Sequence, residues 1–202
     1  MVQSIVGVIV VALLFGGAII YKTLSSRISI DRAIISAPVI NINPQAEGVL
    51  QSVFVKAGDT VTKGEPVAQV GGETLSAGTA GTIISVENVP GQVFVPGLPG
   101  PVVVSMIDPS ELRVVATIDE DKGLSSIKIG DVATFTLDAF GSQTFTGVVD
   151  SISPTSNDSA IAFSISDKRE TRQFDIKIRY DVKAHPEFKN GMSAKVKIYP
   201  AH

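Results

Sequence analysis

A chain of 202 residues with net charge -3 is long enough for one or two compact domains. Its 44% hydrophobic and 18% charged residues argue for folded material rather than disorder. The weak acidic balance, without a basic patch interleaved with aromatics, gives no nucleic-acid-binding face, and the lack of cysteine excludes disulfides, thiol nucleophiles, cysteine–zinc sites and a lipoprotein anchor.

After a short tail at residues 1–4, Ile5 to Tyr21 is an uncharged apolar run, close to the ~20 residues that span a bilayer as a helix. Tyr21 and Lys22 read as an interfacial anchor. Met1-Val2-Gln3-Ser4 carries no basic side chain and no Ala-x-Ala site follows, so the run is read as an uncleaved anchor rather than a signal peptide. Lys22, Arg27 and Arg32 after the run would keep the body inside by a literal count of positive charge. Large domains cross largely regardless of such charges, and an extracytoplasmic body is the reading adopted. Residues 22–36 form a membrane-proximal linker, with a strand at Ile28–Ile35 leading away from the membrane.

Residues 37–107 contain a stretch written twice. Gly48, Gly58 and Gly64 fall into register with Gly81, Gly91 and Gly97, and Ser52-Val53 falls on Ser85-Val86. Glycine recurs where a chain turns with positive φ or passes close to another backbone, and the intervening β-branched residues predict short strands. Two strand–turn–strand copies, each too small to bury its own apolar face, should clasp as a small sandwich. Val67–Val70 predicts a strand, Gly71–Ser76 a tight connection, and Val102–Met106 a strand after the stiff turn Leu98-Pro99-Gly100-Pro101.

A second domain, residues 108–200, begins at Asp108-Pro109. A strand at Glu111–Ile118 is followed by a short helical turn opened by Asp119-Glu120-Asp121 and running to Ile127, with the acids at the positive end of its dipole. Ala133, Phe135 and Leu137 alternate with Thr134, Thr136 and Asp138, and Phe145–Ile152 reads as a further strand. Phe174, Ile176, Ile178 and Tyr180 alternate with charged residues, and Met192, Ala194, Val196 and Ile198 repeat the pattern. A period of two means one buried and one wet face. The predicted class is mainly β: a sandwich, then a closed or nearly closed antiparallel barrel, with one N-terminal transmembrane helix. Thr155–Arg172 reads as a long polar loop with a hairpin within it.

Gly48-x-Leu50-x-x-Val53 with Val55-Lys56-x-Gly58-Asp59-x-Val61-x-Lys63-Gly64, and then Gly81-Thr82-Ile83 through Gly91-x-Val93 and Gly97, resemble the halves of a biotinyl/lipoyl-like domain. Leu112-x-Val114-x-Ala116-x-Ile118-Asp119-Glu120, Ile127-x-Ile129-Gly130-Asp131-x-Ala133, Phe145-x-Gly147-x-Val149-x-x-Ile152-x-Pro154 and Asn190-Gly191-Met192-x-Ala194-x-Val196-x-Ile198 resemble the barrel of the membrane fusion proteins, the periplasmic adaptors of drug-efflux pumps and type I secretion systems. The resemblance implies a non-catalytic subunit without cofactor in the inner membrane. It also implies an ABC-type or proton-driven transporter as partner and a homo-oligomeric ring. Adaptors of that family place a long α-helical hairpin between the lipoyl halves. Only Gly71–Ser76 is available here, whereas two helices of three turns need about twenty residues, so no such hairpin is expected.

A lipoyl or biotin carrier exposes a lysine at the turn between its halves. Gly72, Glu73 and Thr74 stand at that place, so no covalent modification is expected. Lys56 and Lys63 read as solvated surface groups. The run Asp119-Glu120-Asp121 suits helix capping better than cation binding. His185 lacks a second histidine nearby, and no metal site is expected. Lys168, Arg169 and Arg172 form a small basic group that could meet lipid headgroups or an acidic partner. Gly-rich phosphate loops, a nucleophile elbow and paired catalytic carboxylates are absent. Two rivals to the adaptor stay open: a membrane-tethered envelope interaction module, and an unmodified lipoyl/biotinyl-like carrier domain.

Overall fold

The computed structural model describes residues 27–97, 100–156 and 172–201. The apolar run 5–21, the turn residues Leu98 and Pro99, the loop residues 157–171 with Lys168 and Arg169, and His202 lie outside them. Fourteen strands follow in chain order: β1 Ile28–Ser36, β2 Val39–Ile42, β3 Gly48–Val53, β4 Thr60–Val61, β5 Pro66–Val70, β6 Glu73–Ser76 and β7 Gly81–Val86, then β8 Val93–Phe94, β9 Val104–Ile107, β10 Arg113–Asp119, β11 Val132–Leu137, β12 Thr144–Ile152, β13 Gln173–Arg179 and β14 Ser193–Tyr199. Short 3-10 turns are the only helical pieces among the described residues. The chain divides into two compact units, one comprising the chain up to Ile35 with Arg113–Asp181 and Glu187–His202, the other Ser36–Leu112 with Val182–Pro186.

The second unit is the expected sandwich. Its two four-stranded sheets run β2-β9-β7-β4 and β6-β5-β3-β8. The repeat spacing of 33 residues is obeyed bond for bond. Gly58 donates to Ile83 (2.8 Å) while Gly91, 33 positions on, donates to Leu50 (3.0 Å). Likewise Ile83 donates to Asp59 and Leu50 to Gln92. Each copy therefore completes the other's turn, which relates the halves by a local two-fold. Leu50 and Ile83, Val61 and Phe94 are matched pairs in one core with Val67, Val70 and Met106, each burial contributing roughly 1.5–3 kcal/mol.

The glycines divide into two kinds. Gly58 and Gly91 share φ near 95° and 92°, and Gly64 and Gly97 share 85° and 82°, a region that costs a side chain about 1–2 kcal/mol. Gly48 and Gly81 instead mark close approach: a Cβ on Gly48 would meet Val70 and Gly71, and one on Gly81 would overlap Ile107's carbonyl and Met106.

The first unit is a closed barrel in the order β1-β10-β13-β12-β11-β14. Ala133, Phe135 and Leu137 point inward together with Ile176, Ile178, Ala194, Val196 and Ile198, as the alternation required. Phe135, Phe145, Tyr180 and Phe188 pack ring to ring, Phe145 and Phe188 edge-on at 4.8 Å.

The strand expected at Ile28–Ile35 is present as Ile28–Ser36, and it belongs to the barrel, antiparallel to β14, with Ile30, Ala33 and Ile35 buried. Two expectations need correction. Of the connection Gly71–Ser76 only Gly71-Gly72 is turn. Glu73–Ser76 pairs with β5, drawn in by buried Leu75. The acidic run does not cap the helical turn: Asp119 ends β10 and its carbonyl accepts from Lys122 N–H, while the 3-10 piece at Leu124–Ser126, within the expected span, begins from left-handed Gly123 without a side-chain cap.

Candidate functional site

Where a carrier would hold its lysine, the β5–β6 hairpin turns at Gly71-Gly72, followed by half-buried Glu73. Its Oε2 accepts from the backbone N–H groups of Gln45 (3.0 Å) and Ala46 (3.3 Å). Glu73 is thus a clamp between β6 and the entry to β3. Lys56 and Lys63 sit in turns of one design. In Lys56-Ala57-Gly58-Asp59, Asp59 Oδ2 accepts from Lys56 N–H and its own N–H returns to Lys56's carbonyl. In Thr62-Lys63-Gly64-Glu65, Glu65 Oε2 accepts from both the N–H and the hydroxyl of Thr62. Lys128-Ile129-Gly130-Asp131 in the barrel repeats it, but there Asp131 is buried and also accepts from Ala201 N–H.

Asp119 is the centre of a charged cluster with two cations among the described residues. Arg32 reaches it at 2.7 Å and Lys122 at 3.2 Å, and Gln173 donates at 3.1 Å. The Lys122 hydrogen bond, with the charges of Lys122 and Arg32, holds its carboxyl below the ordinary carboxylate value against a partial desolvation. The cluster pins β1 to β10 and the following turn, a structural role. Arg172 is exposed, and its carbonyl accepts from Glu120 N–H. His185 lies in a turn, its N–H donating to Val182. No group of three metal-ligating side chains occurs among the described residues, and no helix there is long and apolar enough to cross a membrane.

The surface feature that the glycine reading missed lies where the repeats differ. On the outer face of the β3–β8 pair, Val49 (43% exposed) stands opposite Val93 (51%). At the equivalent place in the β4–β7 pair stand Thr82 and Thr60. Val95 (40% exposed) likewise replaces Thr62. Val93 and Val95 border a groove of about 340 Å³ with Asn43, Pro44, Pro96 and Pro101. Laying the two halves side by side at the 33-residue spacing would have found it.

A two-fold lipoyl-like sandwich and a closed six-stranded barrel on one chain define the fold of the membrane fusion and periplasmic adaptor proteins. Among solved structures, the chain is similar to the membrane fusion protein Spr0693 from Streptococcus pneumoniae R6 (TM-score 0.63, 13% identity, 88% of this chain and 100% of that one). It is similar to a MacA–MexA chimeric protein carrying the Pseudomonas aeruginosa MexA α-hairpin domain (0.65, 16%, 87% and 81%). It is also similar to the periplasmic adaptor protein EmrA (0.55, 12%, 87% and 99%). At these identities the likeness is one of fold. No protein-family model and no curated protein matches the sequence.

Proposed function

We propose that the chain is a non-catalytic, membrane-anchored adaptor subunit of an efflux, transport or secretion complex that works without a coiled-coil hairpin. Residues 5–21 hold it in the inner membrane, the two β units stand on the extracytoplasmic side, and copies form a ring beside an ABC-type or proton-driven transporter. The carrying observation is the likeness in fold to a membrane fusion protein and a periplasmic adaptor over 88% and 87% of this chain. Support for hairpin-free action comes from Gly71-Gly72, a two-residue turn that leaves no room for an inserted helical pair. Such a subunit contributes shape and a guided passage, while the energy comes from its transporter.

The Val49–Val93 pair supplies an apolar contact between copies, since burying each valine would contribute roughly 1.5–3 kcal/mol at an interface. Sedimentation of the full chain in mild detergent tests this. The native chain is expected as an oligomer, and V93E is expected to fall to smaller species with its fold intact. A native chain that stays monomeric at every concentration overturns the ring.

A further inference from the structure

The strand registers place several ends of the barrel on one rim. Ile28 lies beside Ile198 and Val132 beside Tyr199, so β1 and β11 begin where β14 ends. Ile152 lies opposite Ile176 and Asp119 opposite Gln173, which brings the end of β12 and the start of β13 to the same rim. Arg27 is therefore at this rim, and residues 22–26 alone separate it from the apolar run. Five extended residues reach at most about 18 Å.

The same rim carries the most exposed large apolar side chain of the described residues. Ile129 is 69% exposed at the tip of the Lys128–Asp131 turn, a position where polar residues are usual. It is held there firmly: Gly130 donates to Val149, Val149 to Asp131, and Asp131 accepts from Lys128 and Ala201. Val132, 49% exposed, lies in register between Val148 and Tyr199, forming an outward apolar row behind the turn. A rigid turn presenting isoleucine, backed by valines and a tyrosine, has the composition of an interfacial contact. Charge at the rim is mixed, with Arg27, Lys122, Lys128 and Arg172 set against Asp119, Glu120 and Asp121.

We propose that this barrel rim is a second membrane contact, with Ile129 inserted at the boundary of headgroups and acyl chains and Val132 and Tyr199 resting above it. The contact rests on reading residues 5–21 as the anchor. Insertion is driven by apolar burial beside a tethered chain end rather than by attraction to anionic lipid, so phosphatidylcholine alone suffices.

The chain has no tryptophan, which gives a direct probe. Full-length I129W, A139W in the 3-10 turn Asp138–Phe140 at the opposite rim, and A12W within the apolar run are each reconstituted into phosphatidylcholine vesicles with and without brominated acyl chains. I129W is expected to shift to the blue and to be quenched about twofold by brominated lipid, as for a side chain at the acyl boundary, with A139W unaffected. Quenching of A12W without I129W overturns the rim contact and leaves the anchor standing. Absence of quenching in all three overturns anchor and rim together, and equal quenching of I129W and A139W overturns the orientation.

Discussion

At Gly81 the backbone passes so close to Ile107 that a methyl group has no place to go, whereas at Gly58 there is space but a left-handed conformation. The two requirements separate on substitution. G58A is expected to cost about 1–2 kcal/mol, the strain of a side chain in that region. G81A is expected to cost about 3 kcal/mol or more, because overlap with a carbonyl cannot be relieved by a change of rotamer. Denaturant unfolding of both variants gives the ordering. Tyr180 makes the opposite kind of case. Its hydroxyl is buried among the aromatic rings without a hydrogen-bond partner. Burial, with Glu187 adding and Arg113 opposing, pushes its pKa from 10.0 up to about 12. A raised value means that the neutral form stabilises the fold fully below pH 10 and that this contribution is lost as pH rises through 12. Y180F removes an orphaned polar atom, so it should match or exceed the native stability at pH 7 by up to about 1 kcal/mol. It should also lack the Tyr180-linked loss between pH 10 and 12, both read from thermal midpoints. A Y180F protein markedly less stable at pH 7 would show that the hydroxyl has a partner after all.

The recurring turn of lysine or threonine, variable residue, glycine and acid is the element on which both units depend, and its strength varies with burial. Asp59 and Asp131 make the same bond to the first residue of their turns, each at 2.8 Å. Only Asp131 is buried, and only Asp131 also ties the C-terminal Ala201. D131A therefore orphans two donors and is expected to cost about 2 kcal/mol, against about 0.5–1 kcal/mol for D59A, whose freed N–H meets water. Equal losses in a chemical-unfolding comparison would contradict this. Much at this level was legible in the residues. Matched glycines announced the sandwich, and the alternation from Phe174 and from Met192 announced barrel strands, because period two and positive-φ turns leave local marks. What escaped was set by tertiary partners. Glu73–Ser76 is a strand only because Leu75 has a core to enter, and Asp119 stays in β10 because Arg32, distant in sequence, holds it there. Ile28–Ile35 carried a strand signal, but nothing local said that β14 would claim it.

For the molecule as a whole, the reciprocal bonds between Gly58 and Ile83 and between Gly91 and Leu50 make the sandwich a self-completing unit. The valine-for-threonine exchange at 93 and 95 then gives one of its two equivalent faces an apolar character. The candidate surface was accessible from the repeat itself, since the exchange shows once the halves are compared residue by residue. The rim carrying Ile129 was not, because it exists only after six strands have closed. The adaptor role proposed above makes the chain a subunit that shapes a path for another protein's work, and its support is the likeness in fold to membrane fusion and periplasmic adaptor proteins. Native mass spectrometry of the full chain, extracted from its own membranes in mild detergent, tests that role most directly. Several copies bound to an integral-membrane transporter are expected, and a single copy released alone under the gentlest conditions would contradict it.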